Sequence, residues 1–218
     1  MKTPFTREQF LDVFTHYNID VFPAQLIFYL IAIIAINFTM MPGRSSGKIT
    51  SIILSFFWLW MGFVYHLNYF TAINNAAYVF GSLFIVQGFL FIVPGVFGNE
   101  LSFRYKHNKY RNAGIILLLY ALIVYPILGY FQGHIYPSAP TFGLPCPTTI
   151  FTFGILLMTN KKIHLVTLII PFAWSIIGFS AAFGFGIYED TGLLIAGLTG
   201  GTLIFLRNRK YAVSTVTS

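Results

Sequence analysis

Charge is what this sequence most lacks: Asp, Glu, Lys and Arg make up 9% of its 218 residues, against roughly 25% in a soluble domain. So few charges cannot cover a water-facing surface, which excludes an ordinary soluble fold. Cysteine is nearly absent as well. Cys146 stands alone, which excludes an intrachain disulfide and any zinc site of several thiolates, and leaves the redox compartment unread. No metal-binding spacing such as HExxH occurs. There is no clear internal repeat, which argues against a transporter built from inverted halves. The long apolar runs hold no charged residue, which argues against a pump built on intramembrane carboxylates. The last run has no lysine, which disfavours a seven-helix retinal protein. The first twenty residues show no apolar core followed by a small-residue cleavage site, so insertion is expected to begin with the first spanning helix.

What is present is apolar and aromatic: 56% hydrophobic residues and 19% Phe, Trp and Tyr, with a mean hydropathy of +0.74. The expected fold is all-α, a polytopic transmembrane helix bundle. A span needs about 20 mostly apolar residues, and six stretches come near that: Val21–Met41, Ile49–Phe70, Ala76–Phe97, Asn112–Phe131, Ile163–Gly184 and Gly192–Leu206. A short one at Thr148–Thr159 makes seven crossings. Residues 1–20 are expected to form an amphipathic surface helix, opened by the capping box Thr6-Arg7-Glu8-Gln9. Residues 21–210 would be the bundle and 211–218 a cytoplasmic tail. Gly178, Ala182 and Gly186, with Gly197 and Gly201, have the four-residue spacing that lets helix backbones approach closely in lipid.

The formal charge of +7 comes from short basic clusters in every second connection: Arg44 and Lys48; Arg104, Lys106, Lys109 and Arg111; Lys161 and Lys162; Arg207, Arg209 and Lys210. The connections at 71–75, 133–147 and 185–191 hold no Lys or Arg. By the positive-inside rule the amino terminus is outside and the carboxyl terminus cytoplasmic, in the cell's inner (plasma) membrane. The basic loops are expected to meet anionic lipid headgroups, and no nucleic acid. Neither a cofactor nor an oligomeric state can be read.

The stretch "APTFGLPCPTTIFTFG" at 139–154 is the chemically unusual one. A helix from Thr148 to Asn160 would rise about 20 Å, too little to cross a core of about 30 Å. Pro145 and Pro147 bias Leu144 and Cys146 away from helical angles, so Leu144–Pro147 is expected to dip inward as extended chain before a half-helix begins. Irregular backbone at that depth must face protein or a wet cavity. Thr148 and Thr149 would then stand in the first turn, whose free N–H groups favour an anion or developing negative charge. A plug that simply fills the bundle is the alternative. On the same outer face the topology gathers His66, Asn68, His134, Cys146, Glu189 and Asp190. These types can bind a metal, with His66 and His134 as the candidate ligands. The bland readings are a hydrogen-bonded His66, solvated acids and an inert thiol.

The blocks "WMGFVYHLNYFTAINNAAYVFG", "GHIYPSAPTFGLPCPTTIFTFG" and "FAWSIIGFSAAFGFGIYED" resemble an uncharacterised family of bacterial polytopic membrane proteins, sometimes loosely labelled permeases. His66, Asn68, His134, Pro145, Cys146, Pro147, Glu189 and Asp190 match its recurring blocks, and the resemblance carries no activity over. Three functions follow from the residues: a small-solute or ion permease using the cavity around the broken fifth segment, a membrane-embedded and metal-dependent enzyme at the outer face, and a structural or accessory subunit.

Overall fold

The computed structural model describes residues 4–98, 100–103 and 108–214. The fold is all-helical, and the described residues form no strand, only isolated bridges. The basic stretch at Arg104, Lys106 and His107 lies outside the described residues.

Helix α1 (Arg7–Asp20) starts at the expected capping box. Thr6 Oγ1 accepts the Gln9 N–H at 3.3 Å, and Gln9 Oε1 accepts the Thr6 N–H at 2.8 Å. The chain then bends by 83° into α2 (Ala24–Met40). Among the described residues five helices are long and apolar enough to cross a membrane, and the bent α1–α2 pair taken as one span makes six, against the seven crossings expected. They include α3 (Ser46–Ala72), α4 (Ala77–Phe97), α5 (Lys109–Phe131) and α7 (Val166–Gly184). The fifth is α8 (Thr191–Ser214), led in by a single 3-10 turn at Tyr188–Asp190. It runs past residue 210, so its last turn takes in part of the expected tail.

Their outward faces are apolar. Leu30 and Ile33 on α2, Val86 and Phe89 on α4, Ile116 and Ile123 on α5, and Ile169 on α7 are all exposed. That arrangement leaves oily stripes where a soluble protein would place charge, and suits them to lipid.

At the centre stands α6 (Pro145–Leu157), packed against α5, α7 and α8. Every one of its side chains is buried except Cys146, which is half-buried. A helix apolar all round belongs inside. Its 13 residues rise about 20 Å, as expected for a half-span, but its start differs from the expectation. Leu144 is extended (φ −82°, ψ 160°) and both prolines lie in the first helical turn. The reason is that first-turn N–H groups have no intrahelical acceptor, so proline costs nothing there. The inward dip is therefore made by residues 140–144, nearly all buried.

The bundle has a carboxylate end and a basic end. At the first, Tyr69 donates to Asp20 (3.2 Å) and Arg7 to the Phe185 carbonyl (2.9 Å). At the second, the Asn160 N–H reaches Ser102 O (2.9 Å) and Asn208 clasps Ile163. Arg207 is buried there, donating to the carbonyls of Leu156, Leu157 and Thr159 and to Thr159 Oγ1 at 2.9 to 3.2 Å. A residue read from sequence only as a topology signal thus closes the C-terminal end of α6. The small-residue face of the last two helices does bring them together: a Cβ on Gly197 would overlap Ser175. Gln87 bridges α4 to the Thr167 carbonyl at 3.1 Å.

Candidate functional site

Two consecutive carboxylates at the α7–α8 corner are buried, Glu189 completely and Asp190 to 3% exposure. An acidic pair in a short turn ordinarily stands in water; here the corner folds under the loop at 132–144 and against α5. Glu189 Oε1 lies 2.8 Å from His134 Nδ1. His134 Nε2 in turn faces the Arg7 guanidinium at 3.5 Å. Arginine has only donors, so Nε2 is the acceptor and Nδ1 carries the proton given to Glu189. The result is a line from exposed Arg7 through a neutral imidazole to a buried carboxylate. Tyr120 OH donates to the Glu189 carbonyl at 2.6 Å. The turn can come this close because residue 192 is glycine, since a Cβ there would overlap the Tyr120 ring. Asp190 Oδ1 accepts from Tyr125 OH at 2.6 Å, and the Cys146 thiol is its other side-chain neighbour.

Asp190 and Cys146 also border a cavity of about 420 Å³. Its walls are aromatic: Phe5, Phe10 and Phe14 from the N-terminal arm, Tyr65, Phe70 and Phe80 from α3 and α4, Trp174 from α7 and Phe185 just beyond it. Ile177 and Ser180, exposed on the outward side of α7, form part of its rim. Helix α1 roofs it, held down by Asn18. The Asn18 amide donates to the carbonyls of Pro137 (2.6 Å) and Ala139 (2.8 Å), and its oxygen accepts from Thr141 (2.7 Å). Tyr17, also on this face, accepts from Trp60 Nε1 at 2.8 Å. Burial pushes the Tyr17 phenol above its ordinary range, so it stays neutral.

The residues singled out in the sequence separate into groups. His134 joins Glu189, and Cys146 joins Asp190. His66 is fully buried with neither ring nitrogen hydrogen-bonded, inside a box of rings that includes Phe84 (centroids 4.6 Å apart) and Trp174 (5.2 Å). It packs against Phe70, Phe80 and Trp174, three of the rings that line the cavity. Asn68 is exposed. Met61–Tyr69 is π-helical, and its buried side carries Met61, Gly62, Tyr65 and His66. Among the described residues, no three of His, Cys, Asp and Glu stand where they could hold a metal ion. The paired donors are engaged with each other instead. Thr148 and Thr149 are buried one turn deeper than expected. Thr148 Oγ1 accepts the Gly143 N–H at 3.1 Å, whereas the Thr149 hydroxyl has no partner. The anion cradle expected at this helix start is also weaker than a typical one. With proline at two of the first three positions, only Cys146 retains an N–H there.

Arg7, Tyr120, Tyr125, Trp174 and Asn18 complete the site and were not singled out in the sequence. Tyr125 offered a faint signal, a hydroxyl inside an apolar run; Arg7 and Asn18 offered none, because their partners are more than a hundred residues away. Residues 7–215, which include every one of these groups, match the sequence profile of DUF6064, a family of unknown function. The chain belongs to this family. No curated protein and no solved structure matches it. Family membership therefore adds no activity.

Proposed function

We propose that this family member is a multi-pass protein of the plasma membrane and that it takes a small, mainly apolar molecule into the cavity at the head of α6, as the outward-facing step of a permease. The observation that carries the reading is the cavity itself. Its volume of about 420 Å³ falls in the range of small-molecule sites, roughly 300–1,000 Å³. Its aromatic lining disfavours a hydrated inorganic ion and narrows the solute to an apolar or amphipathic one. The orientation, amino terminus outside, is supported by the Lys and Arg residues collected at the opposite end, where they would meet anionic headgroups. Beneath the cavity, Phe151, Phe153 and Trp58 are fully buried, so passage requires α6 or its flanks to move.

Cys146 is the only thiol and borders the cavity, which makes it the reporter. Apolar solutes are expected to slow its alkylation by N-ethylmaleimide in reconstituted protein, and the protecting solutes to be carried into proteoliposomes. Protection without flux would leave a binding protein and remove the permease; absence of both would remove the cavity reading.

A second reading, a thiol enzyme acting on a lipid-like ester, has the contact between Cys146 and Asp190 in its favour. Release of more than one equivalent of nitrophenol from a fatty-acyl nitrophenyl ester, lost in Cys146→Ala, would establish it over the carrier.

A further inference from the structure

The two neighbouring carboxylates differ in what they face: Asp190 borders the cavity and Glu189 does not. Glu189 Oε1 accepts the His134 N–H, with the Arg7 guanidinium behind the ring. Asp190 is held by a phenol and a thiol, both neutral donors. It is the carboxylate that borders the cavity, and among the described residues no Lys, Arg or His lines that cavity. A buried carboxyl group without a charged partner is ionised at least cost when a cation docks beside it. The walls point the same way, because the faces of Trp, Tyr and Phe rings attract cations through their quadrupoles. Tyr65 and Trp174 flank the floor where Asp190 and Cys146 stand. An anionic ligand would meet the carboxylate head-on, and a neutral one could gain only a hydrogen bond from it. The rim residues Ile177 and Ser180 face outward on α7, so an amphiphile could reach the cavity from the side.

Building on the cavity reading above, we infer that the ligand is a hydrophobic amine: an ammonium head docked against Asp190 with its apolar body among the aromatic walls. The pairing and the ring contacts together should favour the cation over a neutral isostere by about tenfold, the ratio that one cation–π contact of roughly 1.4 kcal/mol supplies.

The test uses three probes on one scaffold, 4-phenylbutylamine, 4-phenylbutanol and 4-phenylbutyrate, against the full chain in phosphatidylcholine nanodiscs. Each is titrated for its protection of Cys146 from N-ethylmaleimide. The amine is expected to protect at about one tenth of the alcohol's concentration, with the carboxylate weakest. In Asp190→Asn the amine should fall to the alcohol's level while the alcohol is unchanged, which also shows the variant to be folded. If that variant does not fold, the series on the unaltered protein decides alone. Equal protection by amine and alcohol, or strongest protection by the carboxylate, overturns the amine inference and leaves the cavity reading standing. No protection by any of the three at millimolar concentration overturns the cavity reading itself.

Discussion

The two ends of α6 are finished by opposite charges and to opposite effect. At its C-terminal end Arg207 donates to three backbone carbonyls and a threonine hydroxyl, and the surroundings are packed. At its N-terminal end Asp190 stands beside Cys146, two first-turn donors are absent because they are prolines, and the surroundings open into a cavity. Both charges have the sign that complements the helix dipole, anion at the start and cation at the end. Both also come from one stretch of chain, the corner before α8 and the far part of α8 itself. That helix runs parallel to α6 and acts as a splint for one too short to span. The splint closes one end and leaves room at the other.

Breaking the closed end should have the largest effect. Arg207→Leu leaves the carbonyls of Leu156, Leu157 and Thr159 buried without their donor, at a cost of about 4 kcal/mol. Arg207→Lys should recover only part, since an ammonium cannot reproduce the guanidinium fork. Thermal unfolding of the purified protein measures both, and a Leu variant melting with the wild type would show that the closure contributes nothing. Next comes the open end's corner. Gly192→Ala places a methyl into the Tyr120 ring and should cost about 3 kcal/mol through overpacking, while loosening the Tyr120 bond to the Glu189 carbonyl. Unchanged stability together with unchanged Cys146 alkylation would contradict that account.

These two residues also show what the chain made legible. Apolar runs of sufficient length announced the long helices, and the box at Thr6 and Gln9 announced α1, because both signals are local. The short central helix was visible for the same reason, but its start was not. Proline's bias acts on the residue before it, and at a first turn that bias is outweighed by packing, so Cys146 is helical although Pro147 follows. The burial of Glu189 and Asp190, the link from Arg7 to His134 and the role of Arg207 all depend on partners tens to hundreds of residues away. No spacing rule reports those.

The roof over the cavity sharpens the comparison at intermediate cost. Asn18→Ala removes both amide donors to the Pro137 and Ala139 carbonyls and the acceptor for Thr141, a loss of about 2 kcal/mol. Since these bonds join α1 to the loop at 132–144, the variant should alkylate faster at Cys146 than its modest loss of stability implies. Equal alkylation rates in variant and wild type would mean that the roof does not control access.

The smallest effect separates two adjacent threonines at the head of α6. Thr148 Oγ1 is the acceptor for the Gly143 N–H, so Thr148→Val strands a buried donor and should cost about 1 kcal/mol. The Thr149 hydroxyl is buried without a partner, and Val replaces it with a methyl of nearly the same shape. Thr149→Val should therefore be neutral, or stabilising by up to about 1 kcal/mol. A clear loss at Thr149 would mean that its hydroxyl has a partner in the folded protein. Repeating the alkylation series with the three phenylbutyl probes on Thr149→Val would then show whether the hydroxyl contributes to holding the ligand or only to packing the helix.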